Sequence, residues 1–149
     1  MMNLYIASSE CCRFIKSILD QLGAKPSHSR RWAEILVDTS LLGIDSHGIG
    51  MLPRYIKHIE DGGIDLSTEV TVISDLGSCV VMDGQAGLGH IAADQVTDIA
   101  IEKAREHGIS CVTIKNCNHV GACSIYSRKV SAQDFIAISG VTTIAGMAP

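Results

Sequence analysis

Apolar positions recur at helical spacing through the first third of the chain and at alternating or continuous spacing after it. Between residues 9 and 22, Cys12, Ile15, Leu19 and Leu22 follow serines suited to an N-cap and precede Gly23 at a stop position, which predicts an amphipathic helix. A second helix is expected from Ser27 or Ser29 to Leu42, with Trp32, Ile35, Leu36 and Thr39 on one face and Gly43 ending it. The turn GAKPSH makes the two a helical hairpin. Three glycines and a proline in GIDSHGIGMLP read as an irregular loop, and a third helix follows from about Pro53 to Glu60, stopped by DGGID.

The period then changes. VTVIS (70–74) and CVVMD (79–83) are β-rich runs joined by DLGS, a hairpin by its spacing. After DGQAGLGH come a helix over 91–107, a β-branched strand ISCVTIK over 109–115, a helix over 121–133 and a strand FIAISGV over 135–141. The fold class is α/β: a helical region, residues 1–70, precedes the first part of an α/β domain, residues 71–149, with the boundary near 62–76. The terminal TTIAGMAP follows the last strand without a closing element, so the sheet reads as unfinished.

Composition narrows the partners. The chain has 149 residues, 46% hydrophobic and 19% charged, with a net charge of −4 and no basic run longer than Arg30–Arg31. That is a globular chain with no electrostatic footprint for nucleic acid, and a small-molecule partner fits better. No apolar run reaches the ~18 residues of a membrane span and the start is not a signal peptide, so a cytoplasmic location is expected. Six cysteines without a CxxC pair are read as small buried hydrophobes. Only Cys117, His119 and Cys123 cluster, too few for a zinc framework, and no metal site is expected.

Three stretches carry candidate chemistry. GLGHIA (87–92) matches the G-x-G-x-x-A dinucleotide fingerprint between a predicted strand and helix, but the loop from Asp83 is long and the next strand ends in Lys115–Asn116, without a ribose-binding acid. Its alternatives are a ligand loop of another kind, or Gly84, Gly87 and Gly89 merely allowing positive φ. In DSHG, the adjacent Asp45, Ser46 and His47 cannot form a relay, and no G-x-S-x-G is present, which argues against a hydrolase. His47 can still exchange a proton and Ser46 donate a hydrogen bond, with Arg54 and Tyr55 holding an anion; the alternative is capping by Asp45 or Ser46 beside a solvated His47. In NCNHVGAC, His119 lies at the carboxyl end of a strand, where open α/β sheets gather ligands, with Gly121 and Ala122 small enough for a ligand to approach. The alternative is Asn118 capping a helix beside an incidental histidine. For His90, at a helix start, capping and ligand contact both stay open, whereas His28, His58 and His107 read as solvated.

Taken together, GIDSHGIGMLPRYIKHIEDGGI, VVMDGQAGLGHIAADQVTDIAIEKAREHGISCVTIKNCNHVGACSIYS and the terminal MAP resemble the type 2 malate/L-lactate dehydrogenase family, in the same order and over nearly the whole chain. The resemblance implies a homodimeric oxidoreductase of the cytoplasm whose NAD(P)-binding domain is mixed-sheet and non-Rossmann. It implies reversible hydride transfer between NAD or NADP and a small 2-hydroxy acid or 2-oxo acid, or a related imine. By the same resemblance His119 matches the histidine that acts as proton-transferring base in some members and His47 the one that acts as proton donor in others; both are kept as catalytic candidates, His119 ranked first. Ser46, Arg54 and Tyr55 contact substrate, and Thr143 contacts the cofactor. Many members have arginine at the place of Met51, which moves carboxylate recognition to Arg54, and TTIAGMAP lacks an asparagine common there. Family members are more than twice as long, so a truncated, inactive fragment or half of a split enzyme is the alternative reading.

Overall fold

The computed structural model describes residues 5–142. Eight regular elements follow one another: α1 (Ser8–Gln21), α2 (Pro26–Leu41), α3 (Leu52–Glu60), β1 (Thr71–Asp75), β2 (Cys79–Asp83), α4 (Gly89–His107), β3 (Cys111–Lys115) and α5 (Cys123–Ser131). The loop between α2 and α3 is wound into two 3-10 turns, Asp45–His47 and Ile49–Met51. The sheet has the order β1-β2-β3, antiparallel between β1 and β2, with a bulge between Val72 and Ser74, and parallel between β2 and β3. This is the mixed α/β arrangement expected. The parallel pair requires a crossover, and α4 makes it. Along β2, Val80 and Met82 are buried while Cys79 and Val81 are exposed, the alternation of a strand with one covered face.

Local details depart from the sequence reading. Ser8 and Ser9 lie inside the first turn of α1, whose N-cap is Ala7 without a side-chain cap. α5 begins at Cys123 because Gly121 takes a left-handed φ of 75°, and it stops before Asp134, which is also left-handed. Residues 135–141 form no strand: they join no ladder among the described residues, their one side-chain tie there being Ser127 Oγ to Ser139 Oγ at 2.9 Å, and Ile136 and Ile138 are 98% and 100% exposed. A strand persists only where its backbone groups find a ladder, and alternation alone does not provide one. The cysteines are not buried as expected; Cys79 and Cys111 are exposed and the other four half-buried, all as free thiols.

α2 is covered on two sides. Trp32, Ala33, Leu36 and Val37 pack with Ile15 and Leu19 of α1, Leu52 and Tyr55 of α3, and Leu88 and Ile91 at the start of α4. On the other side Ile35 meets Ile125 and Tyr126 of α5. Where α2, α4 and α5 converge, the buried Asp94 accepts two hydrogen bonds from Arg31, at 2.9 and 2.7 Å, and one from Lys129 at 2.9 Å. Burial works to raise the Asp94 pKa, but these donors outweigh it and hold the carboxyl below its usual range. His90, 1% exposed in the same helix, is pushed down to about 3, first by burial and then by the neighbouring His119 and His47.

Both shifts make the fold acid-sensitive, in different windows. A histidine held neutral costs stability as pH falls from its unfolded value near 6.5, because the unfolded chain takes up the proton first. The lowered Asp94 contributes stability that is full above about pH 4 and is lost as pH falls through its folded pKa. Urea unfolding across a pH series should therefore show wild-type stability declining from about pH 6.5, with smaller shares from His28 and His119, both also lowered. His90→Gln should flatten the upper part of that decline. Asp94→Asn should flatten the part below pH 4 and cost about 3 kcal/mol at neutral pH.

Candidate active site

The turn after β2 and the turn after β3 are packed face to face by residues that lack side chains. A Cβ on Gly84 would stand 2.9 Å from the Asn116 carbonyl oxygen, and one on Gly89 would collide with the carbonyl oxygens of Asn118 and His119. None of Gly84, Gly87 and Gly89 has positive φ; the left-handed residues of this turn are Gln85 and Ala86. The glycines thus serve close approach and not chain reversal, a correction to the expectation from sequence. The loop's amides are also engaged. Gly84 N–H donates to Lys115 O, Gln85 N–H to Asp83 Oδ1, Ala86 N–H to Asn116 O and Gly87 N–H to Gly84 O, all at 2.8–2.9 Å. The four amides of residues 84–87 are thus not free to receive a phosphate, so this turn does not fit a dinucleotide cradle.

Asn118 completes the clamp. Its side-chain amide donates to Ala86 O at 2.7 Å, Gly87 O at 3.0 Å and Gly63 O at 3.2 Å, and it caps no helix. Gly121 is not open to a ligand as expected: it is buried, and a Cβ there would lie 2.5 Å from His90 Nε2. With Asn118 fixed on one side and Gly121 on the other, His119 has little freedom to move.

His119 is delivered to α3. Tyr55 Oη lies 2.7 Å from His119 Nδ1 and 3.4 Å from His90 Nε2. The Tyr55 ring is seated on Trp32 at a centroid distance of 5.3 Å and meets the His90 ring edge-on at 5.1 Å. The His47 ring is 5.5 Å from that of His119, and Ser46 Oγ lies 2.8 Å from His47 Nδ1. Loss of water around the packed ring lowers the His119 pKa, and the charges of His47 and Arg54 lower it further. The phenol of the buried Tyr55 is pushed well up by desolvation, so it keeps its proton at neutral pH. His119 is exposed, and its Nε2 has no partner among the described residues.

The predicted residues therefore converge in part. His119, Tyr55 and His47 meet, Ser46 touches His47, and the exposed Arg54 is close enough for its charge to act on both His119 and Tyr55. Neither Asp45 nor Ser46 caps a helix. Met51 packs against the helical core. Thr143 lies outside the described residues. His90 was open between capping and ligand contact; it makes no cap to α4, and it is buried against Tyr55 and Trp32. The signal for that burial was its place among Leu88, Ile91 and Ala92, all apolar and buried. Cys117 acts as a packing thiol, raised to about 11 by burial, with its Sγ 3.9 Å from Gly89 O.

Comparison with known proteins places this geometry. Residues 6–149 match the family model described as malate/L-lactate dehydrogenase. A malate dehydrogenase of Pyrococcus abyssi is 34% identical over 134 residues, covering 90% of this chain and 37% of the relative. An L-sulfolactate dehydrogenase of Methanocaldococcus jannaschii is 32% identical, covering 92% and 40%. The solved structure of malate dehydrogenase from Pyrococcus horikoshii superposes with a TM-score of 0.85 at 31% identity, over 87% of this chain and 37% of that one. The chain thus spans about two fifths of the length of the relatives it matches, and over that span both its sequence and its fold are theirs: it belongs to the malate/L-lactate dehydrogenase family.

Proposed function

We propose that the chain takes part in reversible hydride transfer between NAD or NADP and a small 2-hydroxy acid or 2-oxo acid of malate or lactate type, with His119 as the proton-transferring base. One observation carries this reading: His119, an exposed residue, is held at Nδ1 by Tyr55, 2.7 Å away, while its Nε2 has no partner among the described residues and is left for a substrate hydroxyl. A base for alcohol oxidation must be unprotonated at working pH, and the lowered pKa of His119 favours that form. His47, 5.5 Å from His119 between ring centres, is the second proton-exchanging group, oriented by Ser46. Arg54 supplies the cation for the substrate carboxylate, in keeping with Met51 being turned into the core. Tyr55 is the third proposed substrate contact, beside Ser46 and Arg54.

When bound, the nicotinamide supplies the hydride acceptor or donor. The described residues provide the proton-handling half of the chemistry, and Thr143 is the proposed cofactor contact. A homodimer working in the cytoplasm completes the proposal; no helix of the described residues is long and apolar enough to cross a membrane.

A second reading is that these residues turn over substrate only together with further polypeptide. The share of the relatives that the chain spans, and the exposed Ile136 and Ile138, favour it. Oxidation of NADH or NADPH by the purified chain with oxaloacetate or pyruvate, followed by absorbance, separates the two. The first reading expects substrate-dependent oxidation that falls about 10²- to 10⁴-fold in His119→Ala; none with either nucleotide supports the second. Arg54→Met should raise KM for the oxo acid by about ten- to a hundredfold with a smaller change in kcat, as loss of a charge-assisted contact does.

A further inference from the structure

His90 has no role in the scheme above, yet it is among the most enclosed polar groups of the chain. It is 1% exposed, its ring lies 5.6 Å from Trp32 and edge-on to Tyr55, and Gly121 lacks a side chain where its Nε2 stands. A buried imidazole is costly unless its nitrogens do something, and Nε2 points at a hydroxyl that also serves His119.

The Tyr55 hydroxyl has one proton and two imidazole neighbours. If that proton goes to His119 Nδ1, neutral His119 must carry its own proton on Nε2 and cannot accept another there. If it goes to His90 Nε2, Tyr55 turns a lone pair toward His119, Nδ1 becomes the N–H donor, and Nε2 is bare. The second arrangement also suits the imidazolium, whose Nδ1–H needs an acceptor, so it serves His119 both before and after proton uptake.

We infer that His90 is a positioning residue for His119: it accepts the Tyr55 hydroxyl proton, so that Tyr55 accepts from His119 Nδ1–H and Nε2 is left as the base. This rests on the reading of His119 as the proton-transferring group. His90 acts as a neutral counterpart of the carboxylate that orients histidine in other enzymes. Desolvation keeps it neutral, so one ring nitrogen retains a lone pair throughout the working pH range, and Nε2 is the nitrogen that faces the Tyr55 hydroxyl. Tyr55, buried and raised, keeps a proton to give. The other ionisable groups acting on His119 are His47 and Arg54; both are cations when charged, and neither can take the place of an acceptor at Nδ1.

The test is the tautomer and titration of His119, read by two-bond ¹H–¹⁵N correlation spectra of the ¹⁵N-histidine-labelled chain over a pH series, without nucleotide or substrate. In the wild type, neutral His119 is expected to carry its proton on Nδ1. His90→Phe should move that proton to Nε2 and lower the His119 pKa, because the imidazolium loses its acceptor. His90→Gln, whose side-chain carbonyl can take the Tyr55 proton, should restore both. In a Tyr55→Phe background, His90→Phe should change neither. A wild-type His119 protonated on Nε2 when neutral overturns the inference by itself, even if a His90 variant fails to fold. So does a folded His90→Phe chain with unchanged tautomer and pKa. Because no turnover is measured, absence of dehydrogenase activity leaves this result standing, and the reverse holds equally.

Discussion

The candidate site depends on a contact between two stretches of backbone. Gly89, the first residue of α4, lies against the carbonyl oxygens of Asn118 and His119 so closely that no side chain could stand between them. The approach brings the exit of β3 down onto the turn that leaves β2, and the Asn118 amide then closes on Ala86 and Gly87. Asp83 ties the same two turns from the sheet side, accepting from Gln85 N–H and from the Asn116 side chain at 2.9 and 2.8 Å. His119 is therefore fixed by its neighbours' main chain, and its ring meets Tyr55 because the loop has nowhere else to go. Precision of this kind comes from close packing, which tolerates displacement poorly.

The helical hairpin supplies the other half of the constraint. Trp32 on α2 seats both the Tyr55 and His90 rings, and Ile15, Leu19 and Leu36 hold Trp32 from behind. α3 and the start of α4 are thus referenced to one buried aromatic. The Asp94 cluster ties α2, α4 and α5 together through charge, beside the apolar contact of Ile35 with Ile125 and Tyr126. The candidate site is assembled between these two anchors, with His119 and Arg54 exposed and His47 half-buried.

Much of this was legible in the sequence, and what was not has physical reasons. The helices and β2 follow from spacing, because each buries a face whose period the chain displays, while β1 and β3, with no fully buried residue, follow from their β-branched runs. FIAISGV has the same composition as a strand but finds no ladder among the described residues, and pairing is a property of the whole fold. His119 was found from its place at a strand end. The glycines were misjudged because sequence shows that a residue is small without showing why; positive φ and close approach leave the same letter. His90 was ambiguous because a helix start looks alike whether it faces solvent or a core. At Met51 the thioether packs against the helical core, while Arg54, three residues on, stays exposed.

The central claim is that glycine-permitted backbone packing, and not a bound ligand, presets the contact between His119 and Tyr55. Nuclear Overhauser effects between the His119 and Tyr55 ring protons in the free 149-residue chain test it directly. The account predicts strong cross-peaks in the wild type that vanish in a folded Gly89→Ala chain, while those between Trp32 and Tyr55 persist. Their absence from the wild type, or their survival in Gly89→Ala, would contradict it.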